Sequence, residues 1–269
     1  MSPLELEREL EVAKQLAVTA GAALRRHRAG ALAVAYKAHG EPVTPADVEA
    51  DATIRAGLAA AFPEDALYSE ETADTPERQS ARRVWIVDPL DSTSNFIEDG
   101  DEYCVSIGLA LDGRAVVGVI YAPAREQLFA GGEGLGVTLN DVPVRVSAAV
   151  DMTTAKVSVS RKEWRSGLTT LPGGVPLIPI ASMAHKLARV AAGLEDAALS
   201  AKPRKEWGTC AGVALVRAAG GVASLLDGRE LAFNQPALRP TVGLLAANPV
   251  LHARLLEALK GSLSATLPG

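Results

Sequence analysis

Asp112-Gly113 sits between two apolar runs, residues 104–111 and 115–121, and this leaves the middle of the chain little choice of fold. A two-residue loop of this kind takes positive φ at both positions, which Asp and Gly tolerate, and it folds the chain back antiparallel to itself. Asn140-Asp141 repeats the signal between 137–139 and 142–146. Ahead of both, the apolar run 84–87 reads as a short strand that stops at Asp88-Pro89. An antiparallel meander is the prediction for this stretch.

After about residue 150 the pattern changes. Strands are expected over 156–160 and 179–182, and helices over 183–194 and 209–219, the second stopped by Gly220-Gly221. Apolar runs at 222–226 and 242–246 and an amphipathic helix over 251–259 complete an alternation of strand and helix. Two helices precede the meander. Ser2-Pro3-Leu4-Glu5 is a helix start, with Leu6, Leu10, Ala13, Ala17 and Leu24 on one face and an end near Arg28. Thr44-Pro45-Ala46-Asp47 opens the other, which reaches Phe62 and counts Val48, Ala52 and Leu58 among its apolar positions. The expected organisation is α+β: an N-terminal part over 1–150 and a C-terminal α/β part over 151–269.

Composition narrows the function classes. A chain of 269 residues with 48% hydrophobic and 22% charged residues can bury a core without staples. With 27 Lys+Arg against 32 Asp+Glu the net charge is −5, which argues against a nucleic-acid polymer as partner. An anionic ligand stays open if a metal ion supplies positive charge. Cys104 and Cys210 are too few for a disulfide framework or a four-thiolate zinc site. The uncharged stretch 166–184 is broken by Pro172, Pro176 and Pro179, so it makes a poor membrane span. A soluble cytoplasmic protein is the expectation.

The chemistry concentrates where the 84–87 strand meets Asp88-Pro89-Leu90-Asp91-Ser92-Thr93-Ser94-Asn95-Phe96. Two carboxylates three residues apart, with proline fixing the backbone between them, can aim Asp88, Asp91 and the Leu90 carbonyl at one hard cation. A helix beginning at Ser92-Thr93 would turn its N–H groups toward a phosphate. The bland alternative is an Asp-Pro turn followed by a helix cap. Glu70-Glu71 and Asp47 are weak signals alone, the first a solvated pair and the second a capping residue.

Together these segments resemble the inositol monophosphatase superfamily: Gly40-Glu-Pro-Val-Thr-Pro-Ala-Asp47, Ser69-Glu70-Glu71, the run from Trp85 to Phe96, and Glu206-Trp207-Gly-Thr-Cys-Ala-Gly212. The resemblance implies a layered αβαβα sandwich of the sugar-phosphatase type, with an antiparallel N-terminal sheet beside a smaller C-terminal α/β part. It implies a Mg²⁺-dependent, lithium-sensitive phosphatase, commonly a homodimer, acting on a small phosphorylated metabolite. By position, Glu70, Asp88 and the Leu90 carbonyl would hold a first Mg²⁺, Asp88 and Asp91 a second, and Glu70 would reach a third. Asp47 and Thr93 would orient and deprotonate the attacking water. Ser92 and Thr93 would hold phosphate through their amides, with Glu206 near the substrate, and Glu71, Arg161 and Lys162 are further candidates.

Oxygen-rich acids suit Mg²⁺, and phosphate-ester hydrolysis needs charge neutralised at both the attacking and leaving oxygens. His27, His39, His185 and His252 show no ligand spacing for zinc. A cysteine-nucleophile phosphatase needs Arg six residues after Cys, where this chain has Ala110 and Val216. An aspartyl-phosphate enzyme of the haloacid-dehalogenase type has acids two apart, not three, and no P-loop is present.

Two positions depart from the family pattern. Gly208 stands where the motif has Asp, which predicts a weakened second metal site and keeps open a catalytically dead binding protein. Ser92 replaces a glycine, which is expected to be tolerated with φ negative. Thr93-Ser94-Asn95-Phe96 resembles the inositol branch, so inositol monophosphate is the leading substrate. Ser69-Glu70-Glu71, Ser160-Arg161-Lys162 and Lys205-Glu206-Trp207 resemble the 3′(2′),5′-bisphosphate nucleotidases, with Arg161 or Lys162 for a second phosphate. Ser182 and Lys186 lie where family members contact substrate or pack the adjacent helix.

Overall fold

The computed structural model describes residues 6–30, 32–38, 40–236 and 242–266. In chain order the elements are α1 (Glu7–Arg28), β1 (Ala35–Tyr36), β2 (Pro42–Val43), α2 (Pro45–Ala61), β3 (Ala66–Ser69), β4 (Arg83–Asp91), α3 (Thr93–Ile97), β5 (Cys104–Leu111) and β6 (Arg114–Ala122). There follow β7 (Gln127–Gly132), β8 (Gly136–Leu139), β9 (Val142–Val144), β10 (Val157–Ser160), α4 (Arg161–Arg165), β11 (Thr170–Leu171), β12 (Val175–Ile180) and α5 (Met183–Ala191). The last are β13 (Ala197–Ser200), α6 (Cys210–Ala218), β14 (Val222–Leu225), β15 (Leu244–Ala247) and α7 (Pro249–Thr266).

Both hairpin signals hold. Asp112 and Gly113 have φ of 48° and 79°, and Asn140 and Asp141 have φ of 50° and 61°. They turn β5 into β6 and β8 into β9 within a sheet ordered β3-β4-β5-β6-β7-β8-β9, antiparallel except for the parallel pair β3 and β4. The second sheet runs β11-β12-β10-β13-β15-β14 and mixes parallel with antiparallel pairs.

Five layers result. One apolar cluster lies between α1, α2 and the seven-stranded sheet. A second, built from α5 and α6, fills the space between the two sheets. A third joins the six-stranded sheet to Leu251, Leu255 and Leu259 of α7. The middle layer sits close to the first sheet: a Cβ added at Gly118 would lie 2.1 Å from the Ala211 carbonyl, and one at Gly108 2.7 Å from the Ala211 amide. Only glycine lets α6 approach β5 and β6 this closely, and that contact sets where residues 206–209 arrive.

The structure corrects several expectations. In α2 the buried apolar residues are Ala46, Ala50, Ile54 and Leu58, whereas Val48 is 59% exposed, because the i, i+4 stripe facing β4 excludes 48 and 52. β4 does not stop at Asp88 but continues, bulged, to Asp91. The 179–182 strand is shifted back to Val175–Ile180. β3, β7, β13 and α4 were not read from the sequence. The helix start at Ser2 lies outside the described residues.

Candidate active site

The bulge in β4 makes the site. In a regular strand, residues three apart point to opposite faces. Asp88 pairs with Ser106 and Asp91 with Cys104, so three steps on β4 match two on β5. The extra residue falls at Pro89-Leu90, where proline could not have served the ladder, and it brings both acids to one face. Asp88 Oδ1 accepts the Leu90 amide at 3.1 Å. Asp91 Oδ2 accepts the Ser182 hydroxyl at 2.6 Å and the Ala184 amide at 2.7 Å, both from the start of α5. Burial raises the pKa of each acid. For Asp88, pushed well above the carboxylate range, the charges of Glu70 and Asp91 add to it; for Asp91, the donors from Ser182 and Ala184 and the charge of Lys186 pull back.

Glu70 arrives from the end of β3, its amide bonded to the Val87 carbonyl at 3.1 Å. Its carboxyl lies close enough to that of Asp88 for the two acids to raise the cost of each other's ionisation. Lys37, next to the isolated β1–β2 hairpin, donates to Glu70 Oε1 at 3.0 Å and to Glu71 Oε1 at 2.6 Å. Burial raises both glutamates; it also disfavours the ammonium, but the bonds to Glu71 and Glu70 prevail and Lys37 is raised.

Asp47 and Thr93 come together as the motif implied. Thr44 caps α2 and forms a reciprocal capping box with Asp47, whose Oδ2 takes the Thr44 amide at 2.8 Å and its hydroxyl at 2.7 Å. Oδ1 is left for Thr93, whose hydroxyl lies 3.1 Å away and 3.2 Å from the Leu90 carbonyl. A hydroxyl has one proton, so Thr93 donates to one of them and keeps lone pairs for another donor. Burial raises the pKa of Asp47 against the opposing bonds from Thr44 and Thr93.

Ser92 overturns its expectation. Its φ is +77°, in the left-handed region, because the chain must swing from the bulged strand into α3 within one residue. Thr93 opens a helix whose first amides have no intrahelical acceptor.

The C-terminal side is different. The Ser106 hydroxyl, opposite Asp88, donates to the Trp207 carbonyl at 3.3 Å and fixes this segment beside the acids. Glu206 is neither a solvated acid nor an open ligand: Oε2 accepts the Asn234 amide at 2.6 Å and Oε1 the Gln235 amide at 2.8 Å. Gly208 is not demanded by its surroundings, since an added Cβ would meet only the Lys205 carbonyl at 3.9 Å. Arg161 is paired with Glu102 at 3.0 Å, and Glu102 accepts the Ala181 amide at the start of α5. Lys162 is exposed on α4. No local pattern points to Glu163, a buried acid that takes the Ser200 hydroxyl, the Ala201 and Lys202 amides and Arg204, and so anchors the loop leading to Glu206.

Lys186 is fully buried and its Nζ has no hydrogen-bond partner among the described residues; burial and the Arg204 charge lower its pKa to about 7. His185 is buried and lowered to about 3, His252 bonds Ser224, and His27 bonds Glu49, while His39 lies outside the described residues. Both thiols are fully buried and pushed well up, the opposite of a nucleophilic cysteine.

The donor set fits a hard cation in type and charge. Glu70, Asp88 and Asp91 offer oxygen only, and burial with mutual repulsion opposes their ionisation unless positive charge is added. Their side chains are not preset as a cage: among the described residues no three His, Cys, Asp or Glu groups already converge as ligands. Each is held separately instead: Glu70 by Lys37, Asp88 by the Leu90 amide and Asp91 by Ser182 and Ala184.

The model of the inositol monophosphatase family matches residues 5–264. An inositol-1-monophosphatase from Mesorhizobium japonicum is 33% identical, over 95% of this chain and 97% of its own length. A histidinol-phosphatase from Chlorobaculum parvum is 32% identical, over 93% and 96%. Among solved structures, the extragenic suppressor protein suhB of Bartonella henselae superposes with a TM-score of 0.82 at 29% identity, covering 94% of this chain and 98% of that one.

Proposed function

We infer that this chain, which belongs to the inositol monophosphatase family, is a Mg²⁺-dependent phosphatase that hydrolyses a small phosphate monoester by attack of water. The observation that carries the reading is the Asp47–Thr93 contact beside the bulge-aligned pair Asp88 and Asp91. Glu70, Asp88, the Leu90 carbonyl and Asp91 would hold the cation. A divalent ion bound there supplies charge neutralisation and makes a water more acidic. Thr93, held by Asp47, accepts a hydrogen bond from the attacking water and passes its own proton toward Asp47, which burial makes a stronger base than an exposed carboxylate. The amides opening α3 hold the phosphate oxygens.

Inositol monophosphate is the leading substrate. The histidinol-phosphatase relative adds histidinol phosphate as a competitor, and the Lys205-Glu206-Trp207 segment keeps adenosine 3′,5′-bisphosphate in view. Two or three Mg²⁺ ions, lithium sensitivity, a homodimer, a cytoplasmic location and separate 1–150 and 151–269 parts belong to the same proposal. A second reading, a binding protein with weakened catalysis, is favoured by Gly208 alone.

One experiment addresses both. Phosphate release is measured across the three substrates with Mg²⁺ titrated, for the native chain and for Gly208→Asp, which the open space at 208 admits. Release that rises with Mg²⁺, at about tenfold lower Mg²⁺ in Gly208→Asp, is the expected result. Rates indifferent to Mg²⁺ would sink the metal reading. No release from either chain would leave the binding protein as the better description.

A further inference from the structure

Asp51 lies one turn after Asp47 on α2 and takes no part in the reading above. It is 6% exposed. Its Oδ1 accepts the Ser69 hydroxyl at 2.5 Å and its Oδ2 the Thr72 hydroxyl at 3.2 Å, with Arg55 at 3.7 Å as counter-ion. Ser69 immediately precedes the acid pair Glu70-Glu71 and Thr72 immediately follows it. The two oxygens of one carboxylate therefore grip both flanks of the pair. Ser69 Oγ also lies 3.4 Å from the Glu71 amide, which tightens the loop further.

We propose that Asp51 is the positioning residue for Glu70 and Glu71, a clamp that fixes the 69–72 loop to α2. Its consequence for cation binding rests on the function proposed above. The argument is geometric. Residues i and i+4 share one helix face, so α2 presents Asp47 to Thr93 and Asp51 to the loop at a spacing set by one helical turn. The water-orienting acid and the first cation ligand are thereby measured from the same rigid element. Without the clamp, Glu70 would keep its backbone bond to Val87 and the pull of Lys37, which sits next to a two-residue hairpin joined to neither main sheet. A loop held from that side alone would set Glu70 loosely relative to Asp88. Partners that orient a metal-binding acid typically carry about 10–100-fold in affinity.

The test compares Asp51→Asn, Ser69→Ala and Thr72→Val with Ile54→Val, a fully buried change on the same helix that removes no polar group. Asn can accept through one oxygen only, so Asp51→Asn opens one jaw. The two loop variants release one flank each without altering α2, and they decide the matter if Asp51→Asn folds poorly. Two readouts are taken: hydrogen exchange of the 70–72 amides without metal, and the Mg²⁺ concentration giving half-maximal phosphate release. Clamp variants should exchange faster at 70–72 with the α2 amides unchanged, and need about tenfold more Mg²⁺. Ile54→Val should lower the melting temperature and move neither readout. Clamp variants that behave like Ile54→Val would overturn the proposal. If the native chain ignores Mg²⁺, the cation reading fails, and the exchange measurement still decides whether Asp51 positions the loop.

Discussion

Asp91 and Glu206 are both half-buried acids that accept two donors, yet they are held for different ends. The hydroxyl of Ser182 and the amide of Ala184 both fall on Asp91 Oδ2, so its other oxygen is not spent on them. Glu206 gives one oxygen to the Asn234 amide and the other to the Gln235 amide, so neither oxygen is without a donor. The first acid is fixed and still open; the second is consumed in tying residues 234–235 to the segment before α6. The same contrast separates the two sides of the site. Acids on the strand side are oriented without being satisfied, and that unsatisfied charge is what a cation would answer. On the C-terminal side Glu206 meets a donor on each oxygen, and Gly208, two residues on, carries no side chain.

The largest expected effect tests that contrast directly. Asp88→Asn removes a charge from the unsatisfied side and should lower kcat/KM by roughly 10³ or more, with the melting temperature in the absence of Mg²⁺ unchanged or raised, because a repelling buried charge is gone. Glu206→Gln should do the reverse. An amide offers one acceptor where two amides must be met, so stability should fall by about 1–3 kcal/mol while kcat/KM changes by only a few fold. Steady-state kinetics and thermal melts of the two variants suffice. A catalytic loss at Glu206 equal to that at Asp88 would show that Glu206 works at the substrate, as its place in the motif implied, and the contrast would collapse.

Lys186 extends the contrast to cations. Lys37 is paired with two acids, whereas Lys186 is fully buried with no hydrogen-bond partner among the described residues, facing Arg204, Glu163, Asp91 and Glu102. Its folded pKa, about 7, lies below the ordinary value of 10.5. Between these limits the unfolded chain binds a proton that the folded chain does not, so stability rises as pH increases from 7 toward 10. Below pH 7 the folded state carries the full cost of a buried charge. Lys186→Met should raise stability by an amount of the order of a few kcal/mol at pH 7 and flatten that rise. Melting temperatures for both chains from pH 6 to 9.5 check it, and parallel curves would mean that the ammonium has a partner.

How much of this was legible in the sequence follows from where the determining interactions lie. The hairpins were readable because Asp112-Gly113 and Asn140-Asp141 carry their turn geometry locally. The Asp47 capping box was readable for the same reason. The bulge was not, since an Asp-Pro step looks like a strand end, and only the register against Cys104 and Ser106 shows that the strand continues. The partners of Asp91 lie 91 and 93 residues away, and those that make Glu163 an anchor for 200–204 lie 37 to 41 away. No local pattern announces such pairs. β13 reads Ala-Ala-Leu-Ser and is buried at every position, so it has no alternation to detect. The motif named the acids; tertiary contacts decide which of them remain unsatisfied.

The smallest effect concerns Ser92, on the strand side, where the backbone itself is under load. At φ +77° a side chain costs roughly 1–2 kcal/mol that glycine avoids. Glycine in turn loses about 0.5–1 kcal/mol more chain entropy on folding. Ser92→Gly should therefore stabilise the fold by somewhat under 1 kcal/mol, and a thermal melt would register it. Because the residue joins Asp91 to the helix that carries Thr93, the same substitution also asks whether the strain is useful. A more stable variant with unchanged kcat/KM would mean that Ser92 is a tolerated departure from glycine. A more stable variant with lower kcat/KM would mean that the serine side chain restricts the turn and keeps Asp91 and Thr93 in place, so that the strand side depends on local strain as well as on unsatisfied charge. A less stable variant would require a hydrogen bond from the Ser92 hydroxyl strong enough to offset the left-handed backbone, and would contradict the strain argument.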